Sequence, residues 1–312
     1  MKRVITGMLA LLLALSLCAC RNQAEQTAAP IEERTAEEIV RTAMNVTKET
    51  ESMHLSGELK FGITLKDGLG TKSQPEEGAE EVAESTDQIA VTIAFDVDCT
   101  YAPMALKGSM TLEESYSSAE QTVQFCLWEQ DGKTVMAFRY GGDDRWVAHS
   151  MPMQELGTLF DKYADLIQEE IFSFARAGED TVNGVPVTLY TCALGGEGIR
   201  RILDTLESEI DGIPPVTFSD ELVAKLKPIG ITYAIGADDR PVRISVDAAA
   251  FADTFIETVV GPIIGEQAQS IAVDTFTIDV FYSDFNAVGP IAPPEDYLDY
   301  TPNALSSVLT PT

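Results

Sequence analysis

The chain has 312 residues, with 21 Lys+Arg against 50 Asp+Glu and a formal net charge of −29. So acidic a surface repels nucleic acid, whose phosphates need a basic stripe, and it repels anionic lipid headgroups as well. Only two histidines, His54 and His149, are present, and neither has the HExxH or His/Cys spacing of a metal site.

Lys2 and Arg3 lead into an apolar run from Met8 to Leu17. A positive n-region, an apolar h-region and small residues after it make residues 1–19 a signal peptide, too short to span a bilayer. Leu17-Cys18-Ala19-Cys20 resembles a bacterial lipobox, with Leu three residues before the cysteine and a small residue just before it. Cys20 fits that pattern and Cys18 does not, because bulky Leu17 precedes it. The resemblance implies a diacylglyceryl group on Cys20, cleavage before it, and acyl chains of the palmitate kind. Each buried CH₂ then contributes about 0.8 kcal/mol of anchoring, and two chains hold stably. The expected location is the extracytoplasmic face of a bacterial cell membrane. Losing Lys2 and Arg3 leaves 19 basic residues against 50 acidic ones, or −31.

Residues 20–34 carry no periodicity and read as a flexible tether, its ends on the order of 20 Å apart. Thr35 and Glu38 have capping-box spacing, and Ile39, Val40, Ala43, Met44 and Val46 follow at helical intervals, so a helix is predicted over 35–50. Clean alternation comes next. Leu55, Leu59, Phe61, Ile63 and Leu65 share one parity in "HLSGELKFGITLK", and Glu58, Lys60 and Thr64 take the other. Ile89, Val91, Ile93, Phe95, Val97 and Cys99 repeat the pattern against Thr92, Asp96 and Asp98, and Leu106, Met110 and Leu112 continue it. Period-2 alternation marks antiparallel strands with one dry and one wet face, and strands this long must twist and curl. The acidic, Gly/Ser/Glu-rich stretch 66–88 between the first two is predicted to be a disordered excursion.

Further strands are predicted at 121–129, 133–140, 145–150, 185–192, 231–236, 241–247 and 271–282. "GGDDRW" (141–146) and "GADDRP" (236–241) read as hairpin turns, not as calcium loops, since neither has the D-x-D-x-D-G form. Helices are predicted over 153–175, from Ile199 to Ile210, and from Ser219 to a stop before Pro228. Residues 248–265 fit either a loop or a short helix, and the Pro-rich end runs out over the surface, with 299–312 a flexible tail. The fold class is α+β: one domain over 35–298, built on a strongly curved antiparallel sheet, a half-barrel, whose concave apolar face is covered by helices.

Catalytic motifs are missing. No GxSxG elbow, GxxxxGK[ST] loop or GxGxxG turn occurs, so no catalytic residue, metal ligand or cofactor is assigned and the chain is not read as an enzyme. Cys99, Cys126 and Cys192 stand singly inside predicted strands; an odd number cannot all pair, and their pairing stays open.

The opening "TAEEIVRTAMNVTKETESMHLSGEL", with "VNGVPVTLYT" (182–191), "YAIGADDRPVRI" (233–244) and "FYSDFNAVGPIAPPEDY" (281–297), resembles the LolA-like and mycobacterial LppX/LprG-like envelope lipoproteins. That resemblance implies a half-barrel closed by helices around an apolar cavity for acyl chains or lipoproteins in transit. LolA itself has no lipid anchor, so an anchored chain departs from a freely diffusing carrier. The expected lining is Leu59, Phe61, Ile63, Ile93, Phe95 and Val97 from the dry sheet face, with Leu156, Phe160, Tyr163, Ile167 and Phe174 from the 153–175 helix. Large side chains argue against an empty hollow, since Phe61, Phe95, Phe160, Tyr163 and Phe174 have the bulk to fill it as packed core. Two functions stay open: a tethered lipid-binding protein, or an envelope structural or sensor protein with a packed core that contacts other envelope proteins.

Overall fold

The computed structural model describes residues 34–65, 87–115, 120–131, 133–142, 145–152, 172–201, 219–261 and 271–300. Helix α1 (Ala36–Glu49) begins with the predicted capping box: the Thr35 hydroxyl accepts from the Glu38 N–H, and the Glu38 carboxylate accepts from the Thr35 N–H. Its apolar stripe, Ile39, Val40, Ala43 and Met44, is buried.

Twelve strands follow: β1 (Ser52–Leu65), β2 (Asp87–Tyr101), β3 (Met104–Glu114), β4 (Gln121–Gln130), β5 (Lys133–Tyr140), β6 (Trp146–Pro152), β7 (Ala175–Val182), β8 (Val185–Leu194), β9 (Ile229–Gly236), β10 (Pro241–Asp247), β11 (Ile271–Ser283) and β12 (Tyr297–Tyr300). They make a single sheet in the order β12-β6-β5-β4-β3-β2-β1-β11-β10-β9-β8-β7. Neighbours are antiparallel throughout except at one edge, where β12 runs parallel to β6. Between β8 and β9 lie a helical turn at 196–201 and helix α2 (Asp220–Lys225), capped by Ser219 and ended before Pro228. The ambiguous stretch after β10 is helical: α3 (Ala249–Phe255) continues into a π-helical turn, Ile256–Val260. Among the described residues, no helix is long and apolar enough to cross a membrane.

Two glycines let the long strands come close. A methyl group at Gly57 of β1 would overlap the Asp279 carbonyl of β11 and lie 2.6 Å from the Phe95 ring, and one at Gly108 of β3 would overlap the Asp96 carbonyl of β2. Glycines of this kind sit where sheets bend and coil, and β2 lies between them, in keeping with a curved sheet.

Both faces of the sheet carry a core. On the inner face, α1, α3 and the apolar parity of β1, β2 and β8–β11 form the large cluster, with Leu55, Ile244, Val246, Ile278 and Val280 fully within it. On the outer face, Ala105, Cys126, Trp128, Val135, Ala137 and Ala148 form a second cluster under Ile291 and Tyr297. The Pro-rich end therefore does more than trail away. Its Ala292 carbonyl accepts from the Cys126 thiol at 3.9 Å, and the Tyr297 ring stands edge-on to Trp128 at 5.4 Å.

Candidate ligand-binding site

Strand register decides which side chains share the inner face, because residues directly opposite in an antiparallel pair point the same way. Leu59 faces Ile93 on β2 and Ile278 on β11, Leu55 faces Val97, and Gly57 faces Phe95. The six sheet residues expected to line a cavity, Leu59, Phe61, Ile63, Ile93, Phe95 and Val97, thus occupy one face of two adjacent strands. Leu59 and Val97 are buried, while Phe61, Ile63, Ile93 and Phe95 are half-buried against the large cluster. Phe61 meets Phe276 edge-on at 5.7 Å. Phe95 lies over Gly57, the usual way a strand aromatic shields a bare backbone, so its ring is pressed onto the sheet.

Of the helix residues expected to face them, Leu156, Phe160, Tyr163 and Ile167 lie outside the described residues. Phe174 is described and sits elsewhere on the inner face. It is stacked on Phe172 at 6.1 Å and edge-on to Tyr233 at 5.6 Å, and its N–H donates to Glu37 Oε1 on α1 at 3.2 Å.

The same register extends the apolar row where the sequence reading did not. Phe95 faces Met110 and Ile93 faces Leu112 on β3; Met110 then faces Val123, and Gly108 faces Phe125, on β4. Phe125 faces Phe138 on β5. Every one of these apolar side chains is half-buried. Alternation gives parity within each strand, but the pairing that lines the strands up comes from turns and packing across the sheet.

A separate cleft of about 520 Å³ opens at the β7–β9 end. Glu179, Asp180, Thr188, Tyr190 and Asp239 line it beside Ile39 of α1. The carboxylates are already engaged: Glu179 pairs with Arg176 at 2.6 Å, Asp180 accepts the Thr181 N–H at 2.7 Å, and Asp239 holds Arg34. None of the expected lining residues borders this cleft.

The remaining polar chemistry is structural in arrangement. His54 Nδ1 lies 2.9 Å from Asp98 and Nε2 lies 3.5 Å from Asp96, on the outer face of β1 and β2. Among the described residues, no group of three or more His, Cys, Asp or Glu side chains could hold a metal ion. Cys99, Cys126 and Cys192 are buried and form no disulfide. Burial pushes the Cys192 thiol up to about 12 and moves Cys126 the same way, which leaves both protonated and poorly nucleophilic at neutral pH.

No protein-family model and no curated protein matches the sequence. Among solved structures, the chain is similar to lipoprotein LppX of Mycobacterium tuberculosis, at 17% identity, covering 82% of this chain and 98% of that one, with a TM-score of 0.45. It is similar also to LprF of Mycobacterium bovis, at 15% identity, with 86% and 99% covered and a TM-score of 0.43. A third is a putative outer membrane lipoprotein-sorting protein domain of Vibrio parahaemolyticus, at 10% identity, with 80% and 92% covered and a TM-score of 0.19.

Proposed function

We propose that the protein is a bacterial envelope lipoprotein, fastened to the outer side of the cell membrane through diacylglyceryl-Cys20, that binds a lipid or other apolar ligand on the inner face of β1–β5. One observation carries this reading: a single apolar face is sealed over β9–β11 and at one end of β1–β4, where Leu55, Val97 and Leu127 are buried, and is half-buried toward the other end of β1–β5. Over β9–β11, side chains such as Ile231, Ile244 and Ile278 keep 6% exposure or less under α1 and α3. Across β1–β5, Phe61, Ile93, Met110, Val123, Phe125 and Phe138 keep partial exposure on the same side. A contiguous apolar surface of that kind is what a ligand takes out of water.

In this reading the segment 153–171, with Leu156, Phe160, Tyr163 and Ile167, forms the roof of the hollow. No residue is given a role in a reaction. Protein purified without its signal peptide is expected to carry lipid that appears in organic extracts by mass spectrometry, and to take up fluorescent fatty acyl probes. An empty extract together with no probe uptake would overturn ligand binding.

The second reading, an envelope structural or sensor protein, is favoured by the outer face. Asp96 and Asp98 keep 69% and 50% side-chain exposure there, beside His54. Crosslinking in cells through a photoreactive residue at Asp96 would trap a specific envelope protein if this reading holds, and none if it does not.

A further inference from the structure

We infer that the Arg34–Asp239 ion pair fixes the root of the membrane tether, so that the end of the sheet carrying the β7–β8 and β9–β10 hairpins faces the bilayer headgroups. This rests on the Cys20 anchor proposed above. Arg34 immediately precedes the N-cap of α1, at the end of the segment that composition marks as a tether. Its guanidinium grips Asp239 with both Nη atoms, Nη2 to Oδ1 at 2.7 Å and Nη1 to Oδ2 at 3.0 Å. The two side chains keep only 7% and 18% exposure. A bidentate pair so far out of water holds its geometry better than a solvated surface pair.

Asp239 is itself held rigidly. It occupies the β9–β10 turn with φ of 60°, where its N–H donates to the Gly236 carbonyl at 3.1 Å and the Gly236 N–H donates to the Arg240 carbonyl at 2.9 Å. The path back toward Cys20 therefore starts at this hairpin, not at a loose helix end.

Chain length then sets the orientation. From Cys20 to Arg34 the chain reaches at most about 50 Å when fully extended. The long central strands, 14 and 15 residues in β1 and β2, measure on the order of 50 Å. To present the far end of the sheet, with the β3–β4 and β5–β6 turns, the tether would have to lie stretched along the whole domain. Coil entropy opposes that stretching. The hairpin end is left nearest the membrane, and it carries exposed Val185 and the mouth of the 520 Å³ cleft. Glu179 and Asp180 beside the cleft keep this end from sinking below the aqueous headgroup layer, since carboxylates are costly to bury in hydrocarbon.

The test uses full-length lipidated protein on phosphatidylcholine vesicles that contain a headgroup spin-labelled lipid as quencher. A fluorophore is placed through Val185→Cys at the hairpin end or through Glu120→Cys at the far end; the native Cys99, Cys126 and Cys192 are buried and escape labelling. Quenching at 185 should be several-fold stronger than at 120. Arg34→Ala and Asp239→Asn should each narrow that gap while the protein still sediments with vesicles. Equal quenching at the two positions in vesicle-bound wild type overturns the orientation and leaves the anchor standing. A gap that survives both substitutions overturns the role of the ion pair. Protein that does not sediment with vesicles at all overturns the anchor, and the inference with it.

Discussion

One methyl group separates Gly57 from a side chain that β1 cannot hold, because the Asp279 carbonyl and the Phe95 ring already fill the place of a Cβ. Gly57→Ala should lower stability by about 1–3 kcal/mol, the usual range for overpacking, read from urea unfolding. Gly62→Ala on the same strand is the control. There a methyl would meet Thr275 at 3.5 Å, ordinary contact, and the change should stay under about 1 kcal/mol. Cys192 offers a pH readout. Its thiol is pushed up to about 12 by burial, while an unfolded thiol ionises near about 8.5. A folded value above the unfolded one means that this contribution is whole below about pH 8.5 and is lost as pH rises toward 12. The urea midpoint should therefore fall between about pH 8 and pH 11, and fall less steeply in Cys192→Ala; parallel slopes would refute the assignment.

At the scale of elements, α1 depends on its cap. Thr35→Ala removes the acceptor for the Glu38 N–H and should cost about 1 kcal/mol, visible in thermal unfolding. That cap was legible in the sequence because its two partners are three residues apart. Long strands β1 and β2 were legible for a similar reason: one wet face and one dry face print a parity onto the chain. β7 escaped notice because Arg176, Glu179 and Asp180 are exposed at the sheet edge and Gly178 sits at a bulge. An edge strand protected from self-pairing in this way carries no apolar alternation. In β4 and β5 the parity blurs for the opposite reason, since Cys126, Trp128 and Val135 are buried on the outer face under the C-terminal segment. The site divides along the same line. Leu59, Phe61, Ile93, Phe95 and Met110 could be read from local parity, but Val123, Phe125 and Phe138 join them only through register. The Arg34–Asp239 pair, 205 residues apart in sequence, left no local trace beyond a turn motif.

For the whole molecule, the decisive property is that one apolar face serves two purposes along its width. Ile244 on β10 lies in the sealed half at 6% exposure, so Ile244→Ala leaves a cavity and should cost about 2–5 kcal/mol. Met110 on β3 lies half-exposed in the other half, opposite Phe95 and Val123. Met110→Ala removes fewer buried contacts and should cost less, about 1–2 kcal/mol, yet it takes a flexible apolar side chain from the proposed ligand surface. The two substitutions should therefore separate stability from binding. Ile244→Ala lowers the urea midpoint strongly and leaves fluorescent acyl-probe affinity near wild type at temperatures where the fold persists, whereas Met110→Ala weakens probe uptake with a small midpoint shift. If Met110→Ala instead destabilised as much as Ile244→Ala and left probe uptake untouched, the β1–β5 half would be ordinary core. The packed-core reading, with function residing in the acidic outer face, would then be the better one.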